Sequence, residues 1–345
     1  MPVLPDPGRP YSGRFADQVV DNLIRNPDDP RRLRSDTTTT AVHLRLLDLD
    51  DSLTAQATLG AAAAWTSVET LPMRDLAPPL RLWSRAATMQ QARTRMAGTM
   101  IDAPAVTMIG SGDFHHLAVL LMERAREPLT VIHFDNHPDW VRWAPRWHCG
   151  SWVNAALRLD HVAKIITLGP CSDDLVRPQL KGGNLRALAS GRLVLLPWQH
   201  APSRVWGRVA DGPGHRQEHG HLTWRNLADA SSADNIAFIL GQIDTPAIWL
   251  TIDKDVLPES EALTNWYQGQ MPLRALLDLI AGIGARKRIA GADICGEFSS
   301  PALRNPLKRI ESRIDRPQRS ADASRLARNE AVNRELLGAI WQAAA

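Results

Sequence analysis

The stretch Val131-Ile132-His133-Phe134-Asp135-Asn136-His137-Pro138-Asp139 joins an apolar run to a string of acids and imidazoles. Its first half reads as a short strand buried on both faces, the kind that parallel sheets carry. Its second half spaces Asp135, His137 and Asp139 at i, i+2 and i+4, positions that share one side of an extended segment. Pro138, which has no N–H to donate, ends the sheet pairing at that point. A strand that releases such side chains from its carboxyl end suits an α/β sheet, where reactive groups gather beyond the strand ends.

The same device recurs on both sides of this stretch. Trp249-Leu250-Thr251-Ile252-Asp253-Lys254-Asp255 again runs from apolar strand to paired acids, and Ile109-Gly110-Ser111-Gly112-Asp113-Phe114-His115-His116 is a glycine-rich turn carrying imidazoles. Short apolar runs at 41–49, 105–109, 129–134, 163–168, 192–197, 247–252 and 288–294 alternate with helical spacing at 117–126, 151–159, 272–283 and 321–344. This alternation predicts a three-layer α/β sandwich, its mostly parallel central sheet flanked by helices. Residues 1–40 read as an irregular lead-in with a helix near 15–24. Residues 41–345 read as a single domain with a surface insertion near 199–235 that holds His200, His215, His219 and His221.

A chain of 345 residues, 44% hydrophobic and 22% charged, is long enough to bury a large core. Its 40 Lys and Arg are dispersed among 37 Asp and Glu, without a basic stripe, which argues against nucleic acid as a partner. Cys149, Cys171 and Cys295 form no CxxC pair, which argues against a disulfide framework or structural zinc and favours a reducing cytoplasm. Residues 1–10 show no leader pattern, and no run of about 18 residues is apolar enough to span a bilayer, so no membrane association is expected.

Taken singly, each string has an ordinary role open to it, as a helix cap, a buried hydrogen-bonded histidine or a turn. Together they bring four aspartates and two imidazole-bearing segments to one rim of one sheet, and buried carboxylates are too costly to gather without compensating cations. An oxygen-rich set with imidazole and without thiolate suits Mn²⁺ better than Ni²⁺, Fe²⁺ or Co²⁺. Four carboxylates match two divalent ions, whose shared water becomes a nucleophile at neutral pH. With a bridging hydroxide the centre would be anionic, which favours a small cationic substrate.

These strings resemble the arginase/agmatinase (ureohydrolase) family. Asp135 to Asp139 follows its DAHxD signature, Thr251 to Asp255 the start of SxDxDxxDP, and Ser111 to His116 more loosely GGDHS. The resemblance implies two Mn²⁺ per chain, one held by His115 or His116 with Asp135, Asp139 and Asp253, the other by His137 and Asp255, with Asp135 and Asp253 bridging. It also implies His148, in Trp147-His148-Cys149-Gly150, as the general acid/base, and Glu297, in Asp293-Ile294-Cys295-Gly296-Glu297, as the anchor for a guanidinium. A homo-oligomer is expected from the same likeness. Two departures stand out: Val256-Leu257-Pro258 replaces the closing Asp-Pro, and the loop after Asp139 carries Trp140, Trp143 and Trp147 where arginases hold the amino-acid end of arginine.

The expected activity is hydrolysis of a C–N bond in a guanidino or amidino compound, giving urea or a related amide and an amine. Two alternatives accompany it: a deacetylase-like amidohydrolase of the same fold with one zinc, and a metal-binding relative without turnover.

Overall fold

Eight strands build the main sheet: β1 (His43–Asp48), β2 (Ser67–Pro72), β3 (Ala105–Gly110), β4 (Leu129–Phe134), β5 (Val162–Leu168), β6 (Leu193–Leu196), β10 (Ala247–Asp253) and β11 (Arg288–Cys295). They lie side by side in the order β2-β1-β3-β11-β10-β4-β5-β6. All seven pairings are parallel. This computed structural model describes residues 42–56, 59, 65, 67–97, 105–300, 303–314, 316–317 and 323–344. The lead-in at 1–40, with its expected helix near 15–24, lies outside the described residues.

Alternation along the central strands sends side chains into two cores. Val131, Ile165 and Trp249 pack on one side of the sheet, and Ile132, Phe134, Ile166, Leu250 and Ile252 on the other. The second side is covered by the helices Leu273–Gly284 and Ala323–Ala344. Leu276, Leu279, Ile280 and Ile283 make a single stripe on the first of these, and each contributes about 1.5–3 kcal/mol on burial. The first side is covered by the helices Ala86–Ala97, Ala118–Met122 and Trp152–Ala156. Helices on both faces of a parallel sheet make the three-layer sandwich that the alternation predicts.

One element departs from the sequence reading. Edge strand β2 is exposed or half-buried at every position but Leu71, so it lacks the continuous apolar run that marks the inner strands. The insertion near 199–235 holds a three-stranded antiparallel sheet of β7 (Ser203–Arg204), β9 (His221–Trp224) and β8 (His215–Glu218). The β8–β9 turn is His219-Gly220, both at positive φ (49° and 76°), the conformation a two-residue hairpin turn of matching twist demands. Among the described residues, no helix is long and apolar enough to cross a membrane.

Strands β10 and β11, late in the chain, lie between the early strands β3 and β4. In open parallel sheets whose strand order reverses in this way, functional groups collect beyond the carboxyl ends of the strands at the switch, here β3, β11, β10 and β4.

Candidate metal centre

All four of these strand ends deliver side chains to one point. After β3, Gly110 (φ 94°) turns the chain into a 3₁₀ helix, Gly112–Leu117, which is capped by Ser111 and carries His115 inward. After β4 come Asp135, His137 and Asp139. They converge through a turn and not through an extended segment, since β4 stops at Phe134 and Asp139 sits at φ 47°. After β10, Asp253 caps a 3₁₀ turn, Lys254–Val256, that contains Asp255, and its Oδ1 accepts from the Asp255 amide at 2.9 Å.

The donors form an inner and an outer group. In the inner group, His115 Nδ1 lies 3.3 Å from Asp135 Oδ2, 3.3 Å from Asp139 Oδ2 and 3.7 Å from Asp253 Oδ2. In the outer group, His137 Nδ1 lies 2.9 Å from Asp255 Oδ2 and 3.5 Å from Asp135 Oδ1. The two oxygens of Asp135 thus face one group each. Only His137 has appreciable access to solvent, at 18% of its side chain, against 8% or less for the other ligand residues.

Further residues fix these orientations. Thr251 Oγ1 donates to Asp293 Oδ1 at 2.7 Å, so it accepts from His115 Nε2 at 2.9 Å. The Nε2 proton is thereby assigned, and His115 Nδ1, buried and without a hydrogen-bond partner, is left aimed at the three carboxylates. Trp152 Nε1 donates to Asp139 Oδ2 at 2.6 Å, and the Asn136 amide to Asp255 Oδ1 at 3.0 Å. His133, between Thr167 Oγ1 at 3.0 Å and Asp135 Oδ2 at 2.9 Å, braces the shared carboxylate. Asp253 is cradled by two glycines: a Cβ on either Gly112 or Gly296 would come within 2.5 Å of its carboxylate.

The electrostatics show what the cluster lacks. Burial and the Asp135 charge push Asp139 up to about 6 and raise Asp253 and Asp255 as well. Burial would raise Asp135 too, but the imidazoles of His115, His133 and His137 hold it well below the usual carboxylate range. Burial opposes charge on His115 and His137, yet Cys295 and Asp135 around the first, and Asp255 and Asp135 around the second, raise both well above the ordinary imidazole value. Among the described residues, the ion pairs of these four aspartates are all with histidines. The donors fit divalent cations: a buried imidazole nitrogen that makes no hydrogen bond, and four crowded carboxylates that no described Lys or Arg neutralises.

Comparison with known proteins bears on the fold that carries this centre. No family model matches the chain. A curated relative, an uncharacterised protein of Thermotoga maritima, is 28% identical over 192 residues, 56% of this chain; the match spans 58% of that relative's length. Among solved structures, proclavaminate amidino hydrolase from Streptomyces clavuligerus aligns with TM-score 0.58 at 12% identity, over 88% of this chain and 92% of its own. Formimidoylglutamase from Bacillus subtilis aligns with TM-score 0.57 at 14% identity, over 89% of each chain. A hypothetical agmatinase from Burkholderia thailandensis aligns with TM-score 0.53 at 16% identity, over 88% and 86%. The chain has the ureohydrolase fold.

On this ureohydrolase fold, the residues singled out from sequence have different fates. His115, Asp135, His137, Asp139, Asp253 and Asp255 come together. His116 does not, because it faces the other way on the same 3₁₀ turn, fully buried with neither ring nitrogen partnered; burial and then the charge of His148 push it down to about 3. His148 stands beside the centre, its Nδ1 accepting from the Gly150 amide at 2.8 Å and its Nε2 at 2.5 Å from Glu311 Oε1. Glu297, expected as the guanidinium anchor, already has partners within the chain. Its carboxylate is buried, paired with Lys254, and takes hydrogen bonds from Asn329 and Asn333. Trp140 and Trp147 are core residues, and only Trp143 of that loop's tryptophans is exposed. Sequence reasoning missed His133, Cys295, Thr251 and Asp293, whose places depend on strand register.

Proposed function

We propose that this protein hydrolyses a C–N bond of a small guanidino or amidino compound with the help of two divalent cations. The observation that carries the reading is His115 Nδ1, buried, making no hydrogen bond, and 3.3 Å from two carboxylates that no Lys or Arg among the described residues neutralises. His115, Asp135, Asp139 and Asp253 would hold the inner ion, and His137, Asp135, Asp253 and Asp255 the outer, where oxygen donors suit Mn²⁺. When bound, such a pair supplies Lewis-acid activation of a water.

The remaining steps belong to the chain. Asp135 and Asp253 would serve both positions, while the Trp152 indole holds Asp139 in place. His137, at the open side, marks the direction of substrate entry, next to Trp266 with ring centroids 5.9 Å apart. His148 and Asp139 both border Gly150, where a Cβ would lie 3.4 Å from His148 Nδ1 and 3.9 Å from Asp139 Oδ1. From there the His148–Glu311 pair carries a proton to the departing amine. With Glu297 engaged, the cationic substrate is held by the anionic character of the centre itself.

The test is release of urea or ammonia from agmatine, arginine, guanidinobutyrate and formimidoyl compounds by the Mn²⁺-supplemented protein. Asp253→Asn is expected to lower turnover by at least about 100-fold, as loss of a transition-state electrostatic contact does. A second reading, a metal-binding protein without turnover, draws on the engagement of Glu297 by Lys254. Two bound ions with silence across the whole panel would select it.

A further inference from the structure

One buried nucleophile at this centre has no part in the reading above. Cys295 ends β11 and pairs in register with Asp253 at the end of β10, so both side chains leave neighbouring parallel strands on the same face. A register shift against β3 between Ile294 and Cys295, followed by Gly296 at φ 90°, turns the strand end toward the cluster. Cys295 is 1% exposed, and its Sγ lies 3.2 Å from Asp253 Oδ2. The ligand atoms of His115, Asp253 and Cys295 all lie within 4.8 Å of one another. Donors at ~2.0–2.3 Å around a tetrahedral ion stand about 3.5 Å apart. The observed 3.2 Å from sulfur to Asp253 and 3.7 Å from His115 to Asp253 bracket that spacing.

We propose that Cys295 is a direct ligand of the inner cation, which makes that position selective for a thiophilic divalent ion, Zn²⁺, Co²⁺ or Fe²⁺, over Mn²⁺. The inference rests on reading the cluster as a metal centre and changes the occupant of one of its two positions. The second observation beside the cysteine is the unpartnered His115 Nδ1, nine-tenths or more buried and aimed at the same space. Thiolate is a soft donor that favours such ions, whereas the outer position, built from His137, Asp135, Asp253 and Asp255, offers only imidazole and oxygen. On binding, the Sγ–H bond breaks, its proton passes to solvent, and the sulfur electron pair goes to the cation; no oxidant or reductant takes part. Cys149 and Cys171 have other neighbours, the His148 ring at 3.9 Å and the Gly169 carbonyl at 3.4 Å, and serve as internal controls.

Titration of the metal-free full chain with Co²⁺ tests this. The expected result is two Co²⁺ per chain with an intense near-ultraviolet thiolate-to-cobalt charge-transfer band. Cys295→Ser should abolish the band and weaken Zn²⁺ binding on the order of 10- to 100-fold. The double variant Cys149→Ser/Cys171→Ser should keep the band. Two bound Co²⁺ without the band, or a band that survives Cys295→Ser, would overturn the role of Cys295 and leave the two-metal reading intact. Failure to bind Co²⁺ at all would remove both. Should Cys295→Ser not fold, zinc-edge X-ray absorption on the unmodified chain decides, with a sulfur scatterer expected at ~2.3 Å and a purely nitrogen and oxygen shell overturning the proposal.

Discussion

Two groups of buried charge in this chain are balanced in opposite ways. Glu297 is met by Lys254, with Asn329 and Asn333 completing its shell. Asp113 is met by Arg81 and Arg316, which outweigh burial and hold it below the usual carboxylate range. Asp139, Asp253 and Asp255 have no such partner among the described residues, and burial with the Asp135 charge drives all three upward. The kind of partner therefore separates the two groups: Lys or Arg meets Glu297 and Asp113, whereas the four aspartates of the cluster meet only histidines among the described residues. Depth alone would not separate them, since every one of these groups is buried.

The largest test of this contrast is to unbalance each group in turn. Glu297→Ala strands the Lys254 ammonium and is expected to cost about 3–5 kcal/mol in denaturant unfolding, with or without metal. Asp253→Asn should cost the metal-free protein little, because it relieves repulsion. It should instead abolish the stabilisation that saturating metal gives the unmodified chain, about 4 kcal/mol at a thousandfold excess over Kd. Equal losses for both variants in the metal-free state would erase the distinction.

Next in size is a difference of sign with pH. Asp139 rises from 3.8 to about 6, so the fold prefers its protonated form. Its contribution to the metal-free protein is complete below pH 3.8 and lost as pH rises through about 6, at most about 3 kcal/mol. Asp113, being lowered, contributes above 3.8 and loses its effect as pH falls. Unfolding curves of the metal-free protein and Asp139→Asn should therefore differ in slope between pH 4 and 6, and parallel curves would mean that Asp139 is already compensated without a cation. The smallest effect concerns the adjacent histidines. His116→Leu removes two unpartnered buried nitrogens at similar volume and should change stability by less than about 1.5 kcal/mol while leaving metal stoichiometry at the unmodified value. A loss of bound metal in that variant would mean that the ligand had been misassigned between His115 and His116.

Much of the fold was legible because inner parallel strands are buried on both faces. The runs at 129–134 and 247–252 were readable as strands for that reason, whereas β2, half exposed at the edge, carried no comparable run. The six converging ligands were legible because each string leaves a strand end. What spacing along the chain does not contain is register across strands: it takes the β10–β11 pairing to set Cys295 beside Asp253 and the packing of the C-terminal helix to place Asn333 on Glu297. Adjacent residues on a 3₁₀ turn, which has about three residues per turn, point some 120° apart. A sequence in which His115 and His116 stand side by side therefore offers both as candidates, and only the fold separates them.

The interleaving of β10 and β11 between β3 and β4 has a consequence for how the protein is made. A nascent chain emerges from its N-terminal end, so His115, Asp135, His137 and Asp139 leave the ribosome more than a hundred residues ahead of Asp253 and Asp255. Until the late strands slot into the gap, the early donors form only half a basket. On the proposed two-cation reading, metal loading would be a closing event of biogenesis, coupled to the longest-range strand pairing in the sheet.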